Sequence, residues 1–193
     1  MKAMRWSRAL ALVGGLVALV LGTAVGPATA APLEREHFHD SGSEVIEECD
    51  LTLRHDFEVD GTFLFNFHGP DGLGYALDTF HGTDSFTNVA NDQSYTNVFT
   101  QVVKDLKVTD NGDGTLTLLV MGAGVSKWFG PDGELLFIDS GTFRFEVLID
   151  HGGTPTDPSD DEELEFLGVV KDLTGRTDTD GRDFCADLHE FIG

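Results

Sequence analysis

The chain has 193 residues and carries 34 acidic against 12 basic side chains, a formal charge of −22 at pH 7. Such a surplus repels phosphate backbones and anionic bilayer surfaces, which sets aside nucleic acid and membrane surfaces as partners. It favours solubility, cationic partners or calcium.

Residues 1–30 read as a secretory signal peptide. Lys2, Arg5 and Arg8 precede an apolar run from Ala9 to Val25, and Ala28-Thr29-Ala30 supplies small residues for cleavage. The apolar run is short for a membrane span, no arginine pair marks the twin-arginine route, and the cleavage site lacks the cysteine of a lipoprotein. Cleavage after Ala30 leaves residues 31–193 as one domain with a single core. Three basic residues leave with the signal and no acidic ones, so the mature chain is more acidic still. The expected location is extracellular, with no membrane association after cleavage. In that oxidising compartment Cys49 and Cys185 are expected to pair, tying the C-terminal segment to the first long strand. No Cys-x-x-Cys points to redox catalysis.

A short start at residues 31–39 leads to Leu51–Val59, where alternation places Leu51, Leu53, His55, Phe57 and Val59 on one strand face. Asp60-Gly61 reads as a turn. A second strand follows with Phe63, Phe65 and Phe67 on one face and Leu64, Asn66 and His68 on the other. Gly69-Pro70-Asp71-Gly72 turns the chain again, and Leu73–His81 and Thr83–Asn91 read as two strands around Gly82. The most legible stretch is Val98–Phe129, two β-prone runs meeting at Asp110-Asn111-Gly112-Asp113-Gly114, whose residues tolerate positive φ. A second Gly-Pro-Asp-Gly at 130–133 precedes strands Leu135–Ile138 and Phe143–Ile149. Beyond a loop at 151–158, Ser159-Asp160-Asp161-Glu162 resembles a helix start, Phe166–Val170 a short strand, and Asp180 the cap of a final helix. Phe184, Cys185, Leu188, Phe191 and Ile192 share one side of that helix.

Seven to nine antiparallel strands joined by tight turns predict an all-β, up-and-down meander that closes into a small β-barrel, with a short C-terminal helix. Closure would remove the exposed edges. Mixed faces such as Leu64/Asn66/His68 and Tyr75/Leu77/Thr79 would suit a barrel interior that holds a small ligand.

The stretch from His151 to Glu162, with Gly181-Arg182-Asp183-Phe184-Cys185, resembles secreted proteins of actinobacteria over most of the mature chain. The resemblance implies an extracellular location. In architecture the meander is similar to lipocalin-like and allene-oxide-cyclase-like barrels, without the lipocalin Gly-x-Trp signature near the mature start.

His55, between Leu53 and Phe57 on an apolar face, is the candidate catalytic residue, as an acid or base in a pocket or else as a buried histidine with one hydrogen bond. His37 and His39 share a face, and His55, His68 and His81 fall on strands that a meander can bring together. A metal centre requires three or more donors to converge, and Glu44 does not match cupin-like spacing, so no histidine centre is assigned. Calcium has two candidate stretches, Asp157 with Asp160–Glu163, and Asp178, Asp180 and Asp183 around Gly181, although helix capping explains the same carboxylates. Asp40-Ser41-Gly42 and Asp139-Ser140-Gly141 match the aspartic-protease tripeptide, but the chain is too short for two lobes and the tripeptide is common turn chemistry. The expected function is a non-enzymatic secreted barrel that binds a small apolar or mixed ligand. The alternatives are a barrel-enclosed isomerase or cyclase using His55, and a calcium-stabilised surface protein.

Overall fold

The computed structural model describes residues 34–68, 72–156 and 160–193. Seven strands follow in chain order: β1 (Glu34–Glu48), β2 (Leu51–His68), β3 (Leu73–Asn88), β4 (Ser94–Asp110), β5 (Thr115–Phe129), β6 (Leu135–Asp150) and β7 (Glu162–Thr177). A helix, α1 (Phe184–Ile192), ends the chain. The expected signal peptide at 1–30 lies outside the described residues, as do Gly69-Pro70-Asp71 and Asp157-Pro158-Ser159.

Each strand pairs antiparallel with the next in a single sheet of order β1-β2-β3-β4-β5-β6-β7. The all-β meander and its C-terminal helix are therefore present, but the predicted barrel closure is not formed: β1 and β7 are opposite edges of an open sheet. Both edges are unsuited to pairing with each other. The β6–β7 ladder shifts register at four points, and such bulges interrupt the even row of N–H and C=O groups that a closing strand requires. On β1, Glu34, Arg35 and Glu36 put charge at the other edge.

The strands are longer than expected because three presumed turns are strand interior. Asp60-Gly61 pairs with Phe38 and His39 on one side and with Phe80 and His81 on the other. Gly82 lies opposite Val59 and Phe99, and Asp139-Ser140-Gly141 lies within β6. Glycine serves close approach here. The ring of Phe38 covers Gly61, that of Phe99 covers Gly82 and that of Phe143 covers Gly122, each so closely that a Cβ would stand less than 3 Å from the ring. An aromatic ring across the ladder thus supplies the packing that glycine lacks.

Two further expectations are corrected near the C terminus. Residues 162–177 form β7 rather than a helix start and a short strand, and the cap of α1 is Asp183, which accepts from the Ala186 amide at 3.0 Å, rather than Asp180. The other end of α1 is satisfied by side chains, since the Ile192 carbonyl accepts from the amides of Asn88 and Asn91 at 2.6 and 3.1 Å. Leu188 and Ile192 are fully buried against Leu53 and Tyr95, and Tyr95 stacks on Trp128 and Phe191. Burial of a large aliphatic side chain contributes about 1.5–3 kcal/mol, so a nine-residue helix that is marginal alone is held by this cluster. A second cluster, built around Val108, Leu116, Val120, Val147 and Ile149, fills the sheet between β4, β5 and β6.

Cys49 and Cys185 form the expected disulfide, with Cα atoms 5.2 Å apart. Cys49 and Asp50 make the two-residue β1–β2 turn, both with positive φ, a conformation that side-chain-bearing residues adopt at a cost of about 1–2 kcal/mol each. The bond anchors the start of α1 to this turn, across a separation of 136 residues. Replacing Cys185 with Ala is expected to cost about 2–5 kcal/mol in urea unfolding. Trp128 fluorescence, read with and without reductant, reports whether the helix cluster loosens first.

Candidate functional site

Strand alternation divides the sheet into two faces. The helix face carries α1 and the odd-numbered residues of β2, including Leu53, His55 and Phe57. The far face carries Glu58, Asp60, Thr62 and Leu64, which makes Leu64 and Leu77, cross-strand partners, far-face residues rather than the lining of an interior.

His55 is set on the helix face with its ring stacked on Phe86, centroids 4.7 Å apart. Its Nε2 is 3.1 Å from Asp84 Oδ1, and Nδ1 lies 3.9 Å from Glu44 Oε1. The hydrogen bond to Asp84 holds the imidazole above the usual histidine pKa against the opposing effect of burial. His55 is thus half-buried and bonded to a carboxylate, where the sequence offered either a pocket acid or base or a buried histidine with one hydrogen bond. His55 lines neither of the two cavities described below. Proton NMR titration is expected to place His55 above an ordinary histidine, and Asp84→Asn should bring it down. The pair's contribution to stability is present in mild acid and is lost as pH rises through the folded-state pKa.

Of the calcium candidates, Asp178, Asp180 and Asp183 each have a separate place in the segment after β7, and Asp157 lies outside the described residues. Asp178 is paired with Arg176 and accepts from the Ile138 amide, and Asp183 caps α1. Asp180 lies in the turn between them, its amide 3.4 Å from the Thr177 carbonyl. Asp139 accepts both the amide and the hydroxyl of Thr179, so the Asp-Ser-Gly sequence at 139–141 docks the segment that follows β7.

Asp105 occupies the bulge in β4 where β3 stops pairing, and its carboxylate accepts the Ala76 amide at 2.7 Å in place of a ladder carbonyl. Burial pushes its pKa up to about 6, helped by the nearby Asp78, whose own pKa burial also raises. The folded state then holds more protons than the unfolded one between the ordinary carboxylate value and about pH 6, so stability falls as pH rises through that window. Asp105→Asn keeps an acceptor for Ala76 and removes the charge. It should stabilise the protein at pH 7.5 by about 1–2 kcal/mol, allowing for solvent screening, and flatten the pH dependence of urea unfolding between pH 4 and 6.

Two cavities lie on the far face. The first is a trough of about 460 Å³ whose lining includes His37, His39, Asp60, Thr62, His81 and Thr100. The second, of about 290 Å³, adjoins it and shares Asp60, His81 and Thr100 as a common wall. Register explains the shape. His39 pairs with Asp60, Asp60 with His81, and His81 with Thr100, giving one row of polar side chains across four strands. The next row contains His37, Thr62, Thr79 and Val102. Between the rows, Phe38, Phe80 and Gln101 turn their side chains to the helix face and Gly61 has none, leaving bare backbone as the floor of the first trough. His39 Nδ1 lies 3.0 Å from Asp60 Oδ1, and the Thr62 hydroxyl is 2.9 Å from His37 Nδ1. Glu58, two residues from Asp60 on the same face, completes a set with His39 and Asp60 in which one donor atom from each lies within 4.8 Å of the others.

His37, His39 and His81 were visible as candidates in the sequence; Glu58, Asp60 and Thr62 were not. The signal was the phase of the alternation, since Leu51–Val59 and Phe63–Phe67 keep their apolar residues on odd numbers and so form one strand through Asp60-Gly61.

These features define the chain as a mainly all-β protein, a seven-stranded antiparallel meander with a disulfide-anchored C-terminal helix and a histidine- and threonine-lined trough on the opposite face. No family model, curated protein or solved structure matches it.

Proposed function

We propose that the protein is exported and acts as a non-enzymatic binding protein that takes a small polar ligand in the far-face trough. The observation that carries this reading is the convergence of three imidazoles, Asp60 and three threonine side chains on a backbone floor, in a volume within the range of about 300–1,000 Å³ typical of small-molecule sites. With β1 and β7 apart, an interior barrel site for an apolar ligand has no enclosing wall, and the polar face becomes the better candidate. Export is supported by the disulfide, the basic-apolar-small pattern of residues 1–30, and the absence of a long apolar helix among the described residues.

An isomerase or cyclase centred on His55 has the Asp84 hydrogen bond in its favour. Its ring is taken up by Phe86, however, and both cavities lie across the sheet from it, so binding is the stronger reading.

Native mass spectrometry of protein recovered from its own culture medium tests this. The expected result is a chain starting at Ala31 with a bound metal or small-molecule adduct, and loss of that adduct from Thr79→Trp, whose indole would occupy the trough while circular dichroism stays unchanged. Protein with no adduct, or with an adduct that Thr79→Trp retains, would refute the assignment.

A further inference from the structure

Resting on the reading of the trough as a binding site, we propose that it is a transition-metal site: His39, Asp60 and Glu58 coordinate a divalent cation of the zinc type, with His81 as the fourth donor.

The first argument is distance. Zinc binds imidazole nitrogen and carboxylate oxygen at about 2.0–2.2 Å in tetrahedral sites, which sets neighbouring donors about 3.4 Å apart. His39 Nδ1 and Asp60 Oδ1 are already 3.0 Å apart, and one donor atom from each of His39, Asp60 and Glu58 lies within 4.8 Å of the others. Small torsional changes of these solvent-accessible side chains bring the set to coordination distance without moving the backbone.

The second argument is the scaffold. His39 and Asp60 are direct cross-strand partners, as are Asp60 and His81, and Glu58 follows Asp60 at the two-residue spacing that keeps both on one face. The four donors therefore come from three adjacent strands of one ladder. His81 borders both troughs together with Asp60, which places it beside the same carboxylate. Thr62 bonds His37 beside the site, so His37 is held as a neighbour that can support a bound cation from outside the donor set.

The third argument is chemical selectivity. Calcium takes six to eight oxygen ligands, whereas imidazole with carboxylate suits zinc and its neighbours in the first transition row. A chain of formal charge −22 raises the local concentration of any cation, but the imidazoles select among them.

The test is isothermal titration of the untagged full chain with zinc chloride at pH 7.5, paired with thermal unfolding. Wild type should bind one zinc per chain at this site and unfold at a higher temperature with zinc present. His39→Ala and Asp60→Asn should each weaken zinc binding at least tenfold, Glu58→Gln and His81→Ala several-fold, and Asp132→Asn, in the β5–β6 turn, not at all. Circular dichroism confirms that each variant is folded, which the exposure of His39 and Asp60 favours. Unchanged zinc affinity in both His39→Ala and Asp60→Asn overturns the proposal. So does an equal response to calcium that the same substitutions abolish. An organic adduct held in the trough with no zinc binding would sink this proposal while leaving the trough as a ligand site. Loss of every adduct from the trough would remove both.

Discussion

The register of the β-ladder is the constraint on which the rest of this structure depends. Six antiparallel pairings in chain order decide which side chains stand opposite each other. The choice matters because a slip of one residue would exchange the two faces of a strand. In the observed register Phe38 meets Gly61, Phe99 meets Gly82 and Phe143 meets Gly122, so large rings lie where the opposing strand has no Cβ. Displacement by one residue would put Phe38 against Asp60 or Thr62 and carry its ring out of that space. The same ladder aligns His39, Asp60 and His81. Core packing and candidate site are thus fixed by one pattern of backbone hydrogen bonds.

A single sheet has two faces to reconcile with water, and this chain treats them differently. One face is covered at one end by α1 and filled elsewhere by its own aliphatic side chains and phenylalanines. The helix is short and would not persist alone, so Cys49–Cys185, the Asp183 cap and the Asn88 and Asn91 bonds to its last carbonyl all serve to keep it in place. The opposite face is polar around the trough, where Thr79, His81 and Thr83 alternate along β3, and carries apolar residues such as Leu64, Leu77 and Val98 elsewhere. The edge strand β7 remains largely exposed, including Leu164, Phe166, Val169 and Val170, and its bulges keep it from presenting a flat pairing edge.

Much of this architecture was legible in the sequence. The hairpin at 110–114 was readable because Asn111 and Gly112 follow a β-prone run, and the cysteine pairing because the chain has only two cysteines. Alternation around Leu53, His55 and Phe57 gave the correct face for His55. Turn chemistry misled where glycine served packing: Asp60-Gly61, Gly82 and Asp139-Ser140-Gly141 look like chain reversals, yet each lies within a strand. The same error hid the candidate site, since breaking β2 at Asp60 removed that residue from the face it shares with Glu58.

The sequence by itself determined the antiparallel strand order, the disulfide pair, the terminal helix and the acidic surface, because tight turns, alternation and composition are local properties. What tertiary structure added is that the sheet stays open, that glycines accept rings across the ladder, and that His39, Glu58 and Asp60 converge, with His81 the cross-strand neighbour of Asp60. These outcomes depend on register between strands distant in sequence and on bulges in β7, which no local pattern in the chain encodes.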